Sequence, residues 1–193
     1  MKLAADSHSS SLEGRQVDVT DEAETAHFID EVLSLHGALD VLVNTVGGYT
    51  GGMKLWEITT KTLEQMLALN LRSGFTLARA AMPAMLKAGR GSIINIASKA
   101  AIDHGAGAAA YSASKAAAVA LMDSLAADAM GSGVRVNSIL PSIIDTPANR
   151  AAMPQADFAT WPKPEDIAQV ILFLSSEHAK TIHGAAVPVY GNA

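Results

Sequence analysis

Short apolar runs alternate with longer helical stretches along this chain, and that alternation restricts the fold more than any other feature. Continuous Val, Ile and Leu runs are typical of parallel strands that are covered on both faces. Four such runs occupy residues 39–43, 92–96, 134–140 and 187–190. The pattern therefore predicts an α/β fold with a doubly wound, mostly parallel sheet.

The segments between these runs have helical periodicity. A helix over residues 21–36 is predicted, with Thr20 as its N-cap and Gly37 just beyond its end. One further strand is predicted at residues 15–19. The length of the chain predicts a single domain over residues 1–193. Three more helices are expected at residues 60–88, where Pro83 kinks or divides the helix, at 108–130, and at 164–176.

Composition excludes several classes of function. The 193 residues are 49% hydrophobic with a net charge of −5, and they contain no Lys/Arg cluster that would neutralise nucleic-acid phosphates. Cysteine is absent and the histidines lack metal-ligand spacing, so we expect no metal site and a reducing, cytoplasmic location. We see no signal peptide, and charged residues interrupt the Ala-rich stretch 106–127, so no membrane partner is expected.

Tyr111 and Lys115 are four residues apart, which places both on one face of a helix. A lysine ammonium beside a phenol favours the phenolate and lowers its pKa, so that the phenol can exchange a proton with a carbonyl or an alcohol. Taken alone, this spacing is weak evidence, because most Tyr/Lys pairs four residues apart on a helix are surface packing.

Two further polar residues strengthen the functional interpretation. Ser98 follows the strand at residues 92–96, at the carboxyl end where parallel sheets place their ligands. Its hydroxyl can bond the same substrate oxygen as Tyr111. Asn70 lies in the middle of a predicted helix, where asparagine is mildly unfavourable, and this suggests a specific role for its side chain.

The order and spacing of Asn70, Ser98, Tyr111, Lys115 and the segment Asn44-Thr45-Val46-Gly47 resemble the short-chain dehydrogenase/reductase family. The resemblance runs from about Asp18 to the C-terminus. It implies a Rossmann-like domain and an NAD(P)-dependent oxidoreductase with Tyr111 as the acid/base. Lys115 would then tune Tyr111 and hold the nicotinamide ribose, Ser98 would orient the substrate oxygen, and Asn70 would anchor a proton-relay water.

The same resemblance assigns residues to the cofactor. It implies that Asn44 and Gly47 line the adenosine side and that Asp18 and Val19 meet the adenine ring. A loop that begins at Pro141 would lie beside the nicotinamide, with Ile144 and Thr146 near the carboxamide. Ser142 stands where the family usually has glycine, and Thr45-Val46 replace the usual Asn-Ala.

The family begins with a strand, a Gly-x-x-x-Gly-x-Gly turn and a helix that together bind the pyrophosphate. No such motif precedes Asp18, so the resemblance implies an incomplete domain that lacks the first βα unit and binds its cofactor weakly. Residues 1–6 are either a strand that ends at Asp6 or a solvated tail. In the first case NAD is favoured over NADP. The alternative function is therefore a catalytically impaired, oligomer-forming remnant or a truncated gene model.

Two loops also resemble the substrate-side loops of dihydropteridine reductases, namely residues 46–52 and 145–161. This resemblance implies a flat heteroaromatic or quinonoid substrate, on which Tyr49, Phe158 and Trp161 would stack; alternatively, these aromatics only cover the mouth of the site. We therefore expect a small-molecule carbonyl, alcohol or quinonoid substrate. The apolar helices at 60–88 and 108–130 predict a homodimer or homotetramer.

Overall fold

Four parallel strands form one sheet in the computed structural model, which describes residues 12–192. The strands are β1 (Val41–Asn44), β2 (Gly91–Ile96), β3 (Val134–Pro141) and β4 (Ala186–Val189), and they lie side by side in that order. Each neighbouring pair is parallel. The predicted parallel sheet is confirmed, with strand ends shifted by one or two residues.

The helices cross between the strands. They are α1 (Glu22–His36), α2 (Thr60–Leu67), α3 (Ser73–Ala88), α4 (Ala109–Asp128), α5 (Pro147–Ala152) and α6 (Pro164–Ser175). Short 3-10 turns occupy Leu55–Glu57, Lys99–Ala101, Phe158–Thr160 and Glu177–Ala179. No helix within residues 12–192 is long and apolar enough to cross a bilayer.

Both faces of the sheet are covered. Ile93 belongs to the core beneath α3 and α4, whereas the next residue, Ile94, belongs to the core that contains Ile167 and Leu174 of α6. Neighbouring residues enter opposite cores because side chains alternate across a strand. Full burial of each such side chain contributes roughly 1.5–3 kcal/mol, which explains why the strands read as continuous apolar runs.

The predicted strand at residues 15–19 is wrong. These residues form no ladder, because among residues 12–192 no strand lies beside them to exchange backbone hydrogen bonds. Arg15 instead donates to Glu31 of α1 at 2.9 Å. The segment leads into α1 as an extended chain along the helix.

The start of α1 also differs from the prediction. Asp21, not Thr20, is the N-cap, and its carboxylate accepts a hydrogen bond from the backbone N–H of Glu24 at 2.9 Å. Thr20 lies one residue before the cap, and its N–H and hydroxyl both donate to Asp18. The predicted end is confirmed, since Gly37 adopts a left-handed conformation with φ of 75°.

The predicted helix at residues 60–88 is divided, although not at Pro83. A π-helical turn over Ala68–Arg72 separates α2 from α3, and α3 continues through Pro83 to Ala88. The wide turn contains Asn70, whose buried side chain bonds to a loop outside the helix. Single π turns of this kind occur frequently at functional sites.

Asp6, whose placement would decide between NAD and NADP, lies outside the described residues, as does the rest of the predicted strand or tail at residues 1–6.

The capping assignment predicts that Asp21→Ala lowers the free energy of unfolding by about 1 kcal/mol, because the first turn of α1 loses the acceptor for an N–H group. Thr20→Ala removes no cap and should have the smaller effect. Urea unfolding followed by circular dichroism measures both values. Equal losses would contradict the assignment of Asp21 as the cap.

Candidate active site

A cavity of about 690 Å³ lies at the carboxyl ends of the strands, beside the first turns of α4. Ligands of parallel α/β sheets bind at this edge, and the volume is within the range of small-molecule sites. Of the predicted site residues, those that line the cavity are Gly47, Ser98, Tyr111, Lys115, Pro141 and Ile144.

Tyr111 and Lys115 lie one turn apart on α4, and both line the cavity. The Lys115 side chain is buried, and its Nζ donates a hydrogen bond to the carbonyl of Ile96 at 2.9 Å. Ile96 is the last residue of β2. Because an ammonium has three N–H donors, two remain for a bound molecule.

The predicted lowering of the Tyr111 pKa is wrong. Burial raises the pKa of Tyr111, hydrogen bonding with the Ser98 hydroxyl opposes part of that rise, and the neighbouring phenol of Tyr49 adds to it. Burial also lowers the pKa of Lys115 from 10.5 to about 8. The ammonium is directed at the Ile96 carbonyl, and burial of both groups outweighs the attraction that the sequence suggested.

Ser98 lies in the cavity with a fixed orientation. It caps the 3-10 turn Lys99–Ala101, and its Oγ accepts a hydrogen bond from the backbone N–H of Ala100 at 3.1 Å. This bond uses one lone pair of the hydroxyl, so the O–H group can still donate, either to the Tyr111 oxygen or to a bound molecule. The structure thus brings Ser98, Tyr111 and Lys115 to one cavity.

Asn70 lies behind the cavity and does not line it. Its Nδ2 donates to the carbonyl of Gly48 at 3.0 Å and to the hydroxyl of Ser114 at 2.9 Å, and its Oδ1 accepts from the N–H of Gly48 at 2.9 Å. Ser114 in turn donates to the carbonyl of Tyr111. Asn70 therefore joins the loop after β1 to the turn of α4 that contains Tyr111.

Gly47 is in close contact with this network. A Cβ at this position would lie 2.9 Å from Oδ1 of Asn70 and 3.2 Å from Nζ of Lys115. Contacts this short would displace one of the two groups, so the backbone can approach them only as glycine.

Asn44 is buried at the end of β1 and lies outside the cavity lining. Its Nδ2 donates to Oδ1 of Asn95 on β2 at 2.9 Å, and its Oδ1 accepts from the N–H of Val46 at 3.1 Å. These bonds fix the start of the loop that contains Gly47.

The remaining predicted cofactor residues also lie outside the cavity lining. Asp18 is exposed, and hydrogen bonds from the hydroxyl and the N–H of Thr20 lower its pKa. Val19 packs against the core beneath α3 and α4. Thr146 caps α5, since its hydroxyl accepts from the N–H of Asn149 at 3.2 Å.

Ser142, which replaces a glycine of the family pattern, has a structural role. Its hydroxyl donates to the carbonyl of Tyr190 at 2.7 Å, and its N–H donates to the carbonyl of Val189 at 3.2 Å. The loop after β3 is therefore fastened to the end of β4.

Stacking of Phe158 and Trp161 on a substrate ring, one of the two alternatives for these aromatics, has no support in the cavity lining. Trp161 is 7% exposed and packs against Phe158 with ring centroids 5.1 Å apart, and neither residue lines the cavity. The guanidinium of Arg150 covers Phe158 from α5. Tyr49 does line the cavity; it is 67% exposed, and its ring meets Tyr111 edge-on at 4.9 Å.

Several residues that line the cavity were not predicted. Lys99 directly follows Ser98, and Ser112 lies inside the Tyr111–Lys115 motif, so adjacency to a predicted residue was the available signal. The hydroxyl of Ser112 is buried and has no hydrogen-bond partner within residues 12–192. Asp103 was also not predicted, whereas Thr45 belongs to the predicted Asn44–Gly47 segment, and Asn149 and Met153 belong to the 145–161 loop.

Known proteins resemble this chain over most of its length. The family model described as short chain dehydrogenase matches residues 2–157. The 2-(R)-hydroxypropyl-CoM dehydrogenase of Xanthobacter autotrophicus is 35% identical over 189 residues, which cover 91% of this chain and 75% of that protein. The 3-oxoacyl-acyl-carrier-protein reductase FabG of Thermotoga maritima is 30% identical over 183 residues, 91% of this chain and 74% of that protein.

A solved structure has the same fold. ElxO with NADP bound superimposes with a TM-score of 0.86 at 26% sequence identity, and the match covers 92% of this chain and 76% of ElxO. The chain thus spans about three quarters of the length of these proteins.

The buried ammonium predicts a pH-dependent stability. Between pH 8 and 10.5 the unfolded chain binds more protons at Lys115 than the folded chain does, so the free energy of unfolding rises with pH in that window. Relative to Lys115→Met, the wild type should gain about 3 kcal/mol between pH 7 and pH 10.5. Urea unfolding without nucleotide measures the difference.

Lys87→Met is the matched control, because Lys87 is exposed in the last turn of α3. Its stability difference from the wild type should not change over the same pH range. A pH-independent difference for Lys115→Met would show that burial imposes no cost on this ammonium.

Proposed function

The chain belongs to the short-chain dehydrogenase/reductase family, and we propose that Tyr111 is the acid/base of its hydride transfer between a nicotinamide cofactor and a carbonyl, alcohol or quinonoid substrate. An NAD(P)-dependent oxidoreductase, as predicted, agrees with the dehydrogenases and reductases that it resembles. No observation on residues 12–192 favours an impaired remnant. The proposal rests on one observation, the shared cavity of Ser98, Tyr111 and Lys115.

The cavity is suited to the nicotinamide end of the cofactor. Ile96, Pro141 and Ile144 form apolar walls for the ring, and Lys115 retains two N–H donors for the ribose hydroxyls. The bare Cα of Gly47 leaves room beside that ammonium. When bound, the nicotinamide supplies or accepts the hydride.

Tyr111 transfers the proton that accompanies the hydride. Because burial raises its pKa, the phenol is protonated at neutral pH and can donate to the oxygen of a carbonyl as that carbonyl is reduced. Oxidation of an alcohol reverses the transfer. The Ser98 O–H donates to the same oxygen, while the hydrogen bond from the N–H of Ala100 keeps the hydroxyl in place.

Lys115 and Asn70 support this proton transfer in different ways. A positive charge on Lys115 stabilises the phenolate that forms when Tyr111 gives up its proton. Both N–H groups of the Asn70 amide are occupied by Gly48 and Ser114, so we assign it a positioning role. An anchored relay water would use the remaining lone-pair capacity of its Oδ1.

The choice of nucleotide, the substrate and the location are also part of the proposal. Either NAD or NADP is compatible with the cavity, and Asp18 and Val19 are retained as candidates for the adenine end of a cofactor. A quinonoid substrate follows from the dihydropteridine reductase resemblance of residues 46–52 and 145–161. The absence of cysteine supports a cytoplasmic location.

We also propose a homodimer or homotetramer. Large apolar side chains are exposed on α2, α3 and α6, among them Leu63, Phe75, Leu86, Leu172 and Phe173. A monomer would leave these patches in water, which is unfavourable for a stable protein.

Light scattering after size exclusion should therefore give two or four times the chain mass of 20.0 kDa. Phe75→Glu should shift the mass towards the monomer if the α3 surface is the interface, whereas Lys180→Glu, at an exposed polar residue before β4, is the control. A monomeric wild type would contradict the proposed assembly.

Tyr111→Phe should lower the turnover of carbonyl substrates by at least about 10²-fold, because it removes the proton donor and keeps the ring. Reduction of a panel of aldehydes, ketones and quinones with NADH and with NADPH measures turnover. Fluorescence titration of the same nucleotides should show that binding is retained.

Tyr190→Phe is the matched control, because this phenol lies outside the cavity lining and its buried hydroxyl has no partner within residues 12–192. It should keep wild-type turnover. Unchanged turnover in Tyr111→Phe would refute the assignment of the acid/base.

A further inference from the structure

We infer that Lys99 is a specificity-determining residue that binds a carboxylate on the substrate, so that the enzyme acts on oxo acids or hydroxy acids. This inference rests on the proposed function, since it assumes that the reacting oxygen lies at Ser98 and Tyr111. It adds a second point of recognition within the same cavity.

The position of Lys99 connects it to the reacting groups. It directly follows Ser98 and begins the 3-10 turn that the Ser98 hydroxyl caps. Lys99 lines the cavity together with Ser98 and Tyr111, and its side chain is 35% exposed. Lys99 therefore forms part of the cavity wall, and its side chain is partly open to solvent.

The charges around the cavity leave Lys99 as the cation available to a substrate. Of the described residues that line it, three are lysine or aspartate, namely Lys99, Asp103 and Lys115. Lys115 is buried and bonded to the Ile96 carbonyl, and the proposed function assigns it to the cofactor. Lys99 has no such assignment.

The present contacts of the Lys99 ammonium are weak. Its Nζ is 4.0 Å from Oδ2 of Asp103, beyond hydrogen-bond distance, and the Asp103 side chain is mostly exposed to water. On the other side, the Nζ lies 5.1 Å from the centroid of the Tyr190 ring. Neither contact is a hydrogen bond, so the N–H donors of the ammonium remain available to an anion.

A carboxylate suits this arrangement better than a neutral group. Hydrogen bonds between two charged groups are roughly twice as strong as neutral ones, and the apolar walls of Ile96 and Ala97 strengthen such a pair by lowering the local dielectric constant. The carboxylate is unchanged by the reaction. The carbonyl carbon gains the hydride and the carbonyl oxygen gains the Tyr111 proton.

The experiment compares acids with their methyl esters, which differ in charge but share the reacting carbonyl. The pairs are 4-formylbenzoate with methyl 4-formylbenzoate and acetoacetate with methyl acetoacetate. Wild-type kcat/KM should favour an acid over its ester, and Lys99→Gln should reduce that preference by about tenfold or more. Saturation-transfer NMR should show the same loss of acid binding without turnover.

Two further variants sharpen the test. Asp103→Asn removes the carboxylate that competes for the ammonium and should lower KM for the acids while KM for the esters stays unchanged. Lys180→Gln removes an exposed lysine before the start of β4, at the opposite end of the sheet, and is the control that should keep wild-type selectivity. Thermal unfolding verifies that each variant is folded.

The inference is overturned if the wild type shows no preference for either acid, if Lys99→Gln retains the preference, or if neither acid binds in the NMR experiment. Failure of the proposed function gives a different result. In that case Tyr111→Phe keeps its turnover, whatever the selectivity of the Lys99 variant.

Discussion

The hydrogen bond from the Lys115 ammonium to the Ile96 carbonyl fixes the position of the candidate site. It joins α4 to the end of β2, and it aligns the helix that contains Tyr111 with the strand that leads to Ser98. Burial of this ammonium is costly, as its lowered pKa indicates. A stable fold retains such a group where its position matters for function.

A second set of polar contacts positions the loop after β1 against the same helix. Asn70 holds Gly48 through both backbone groups and reaches α4 through Ser114. Asn70 lies in the π-helical turn between α2 and α3, and its side chain faces this loop from there. These contacts therefore connect three elements that are distant in sequence, namely the β1 loop, the α2–α3 junction and α4.

The sequence predicted what depends on local pattern. Continuous Val and Ile runs indicated buried parallel strands, which the structure contains. The spacing of the motif indicated that Ser98, Tyr111 and Lys115 act together, and all three line one cavity. Prediction from sequence failed where the conformation or pKa of a residue depends on contacts with residues distant in the chain. Residues 15–19 have strand composition but no described neighbour, Trp161 packs against Phe158, and the Tyr111 pKa follows burial. Lys99 was missed because a lysine after a strand is ordinarily a solvated surface residue.

The contact between Gly47, Asn70 and Lys115 has a consequence for how such a site can diverge. A methyl group at residue 47 would force the Asn70 amide to shift and would press on the Lys115 ammonium. Each of the three residues therefore limits which substitutions are tolerated at the other two positions, although the three belong to separate elements. Transfer of this chemistry to a different scaffold would require all three to move as a unit, because grafting the tyrosine and the lysine alone would omit the surface that aligns them.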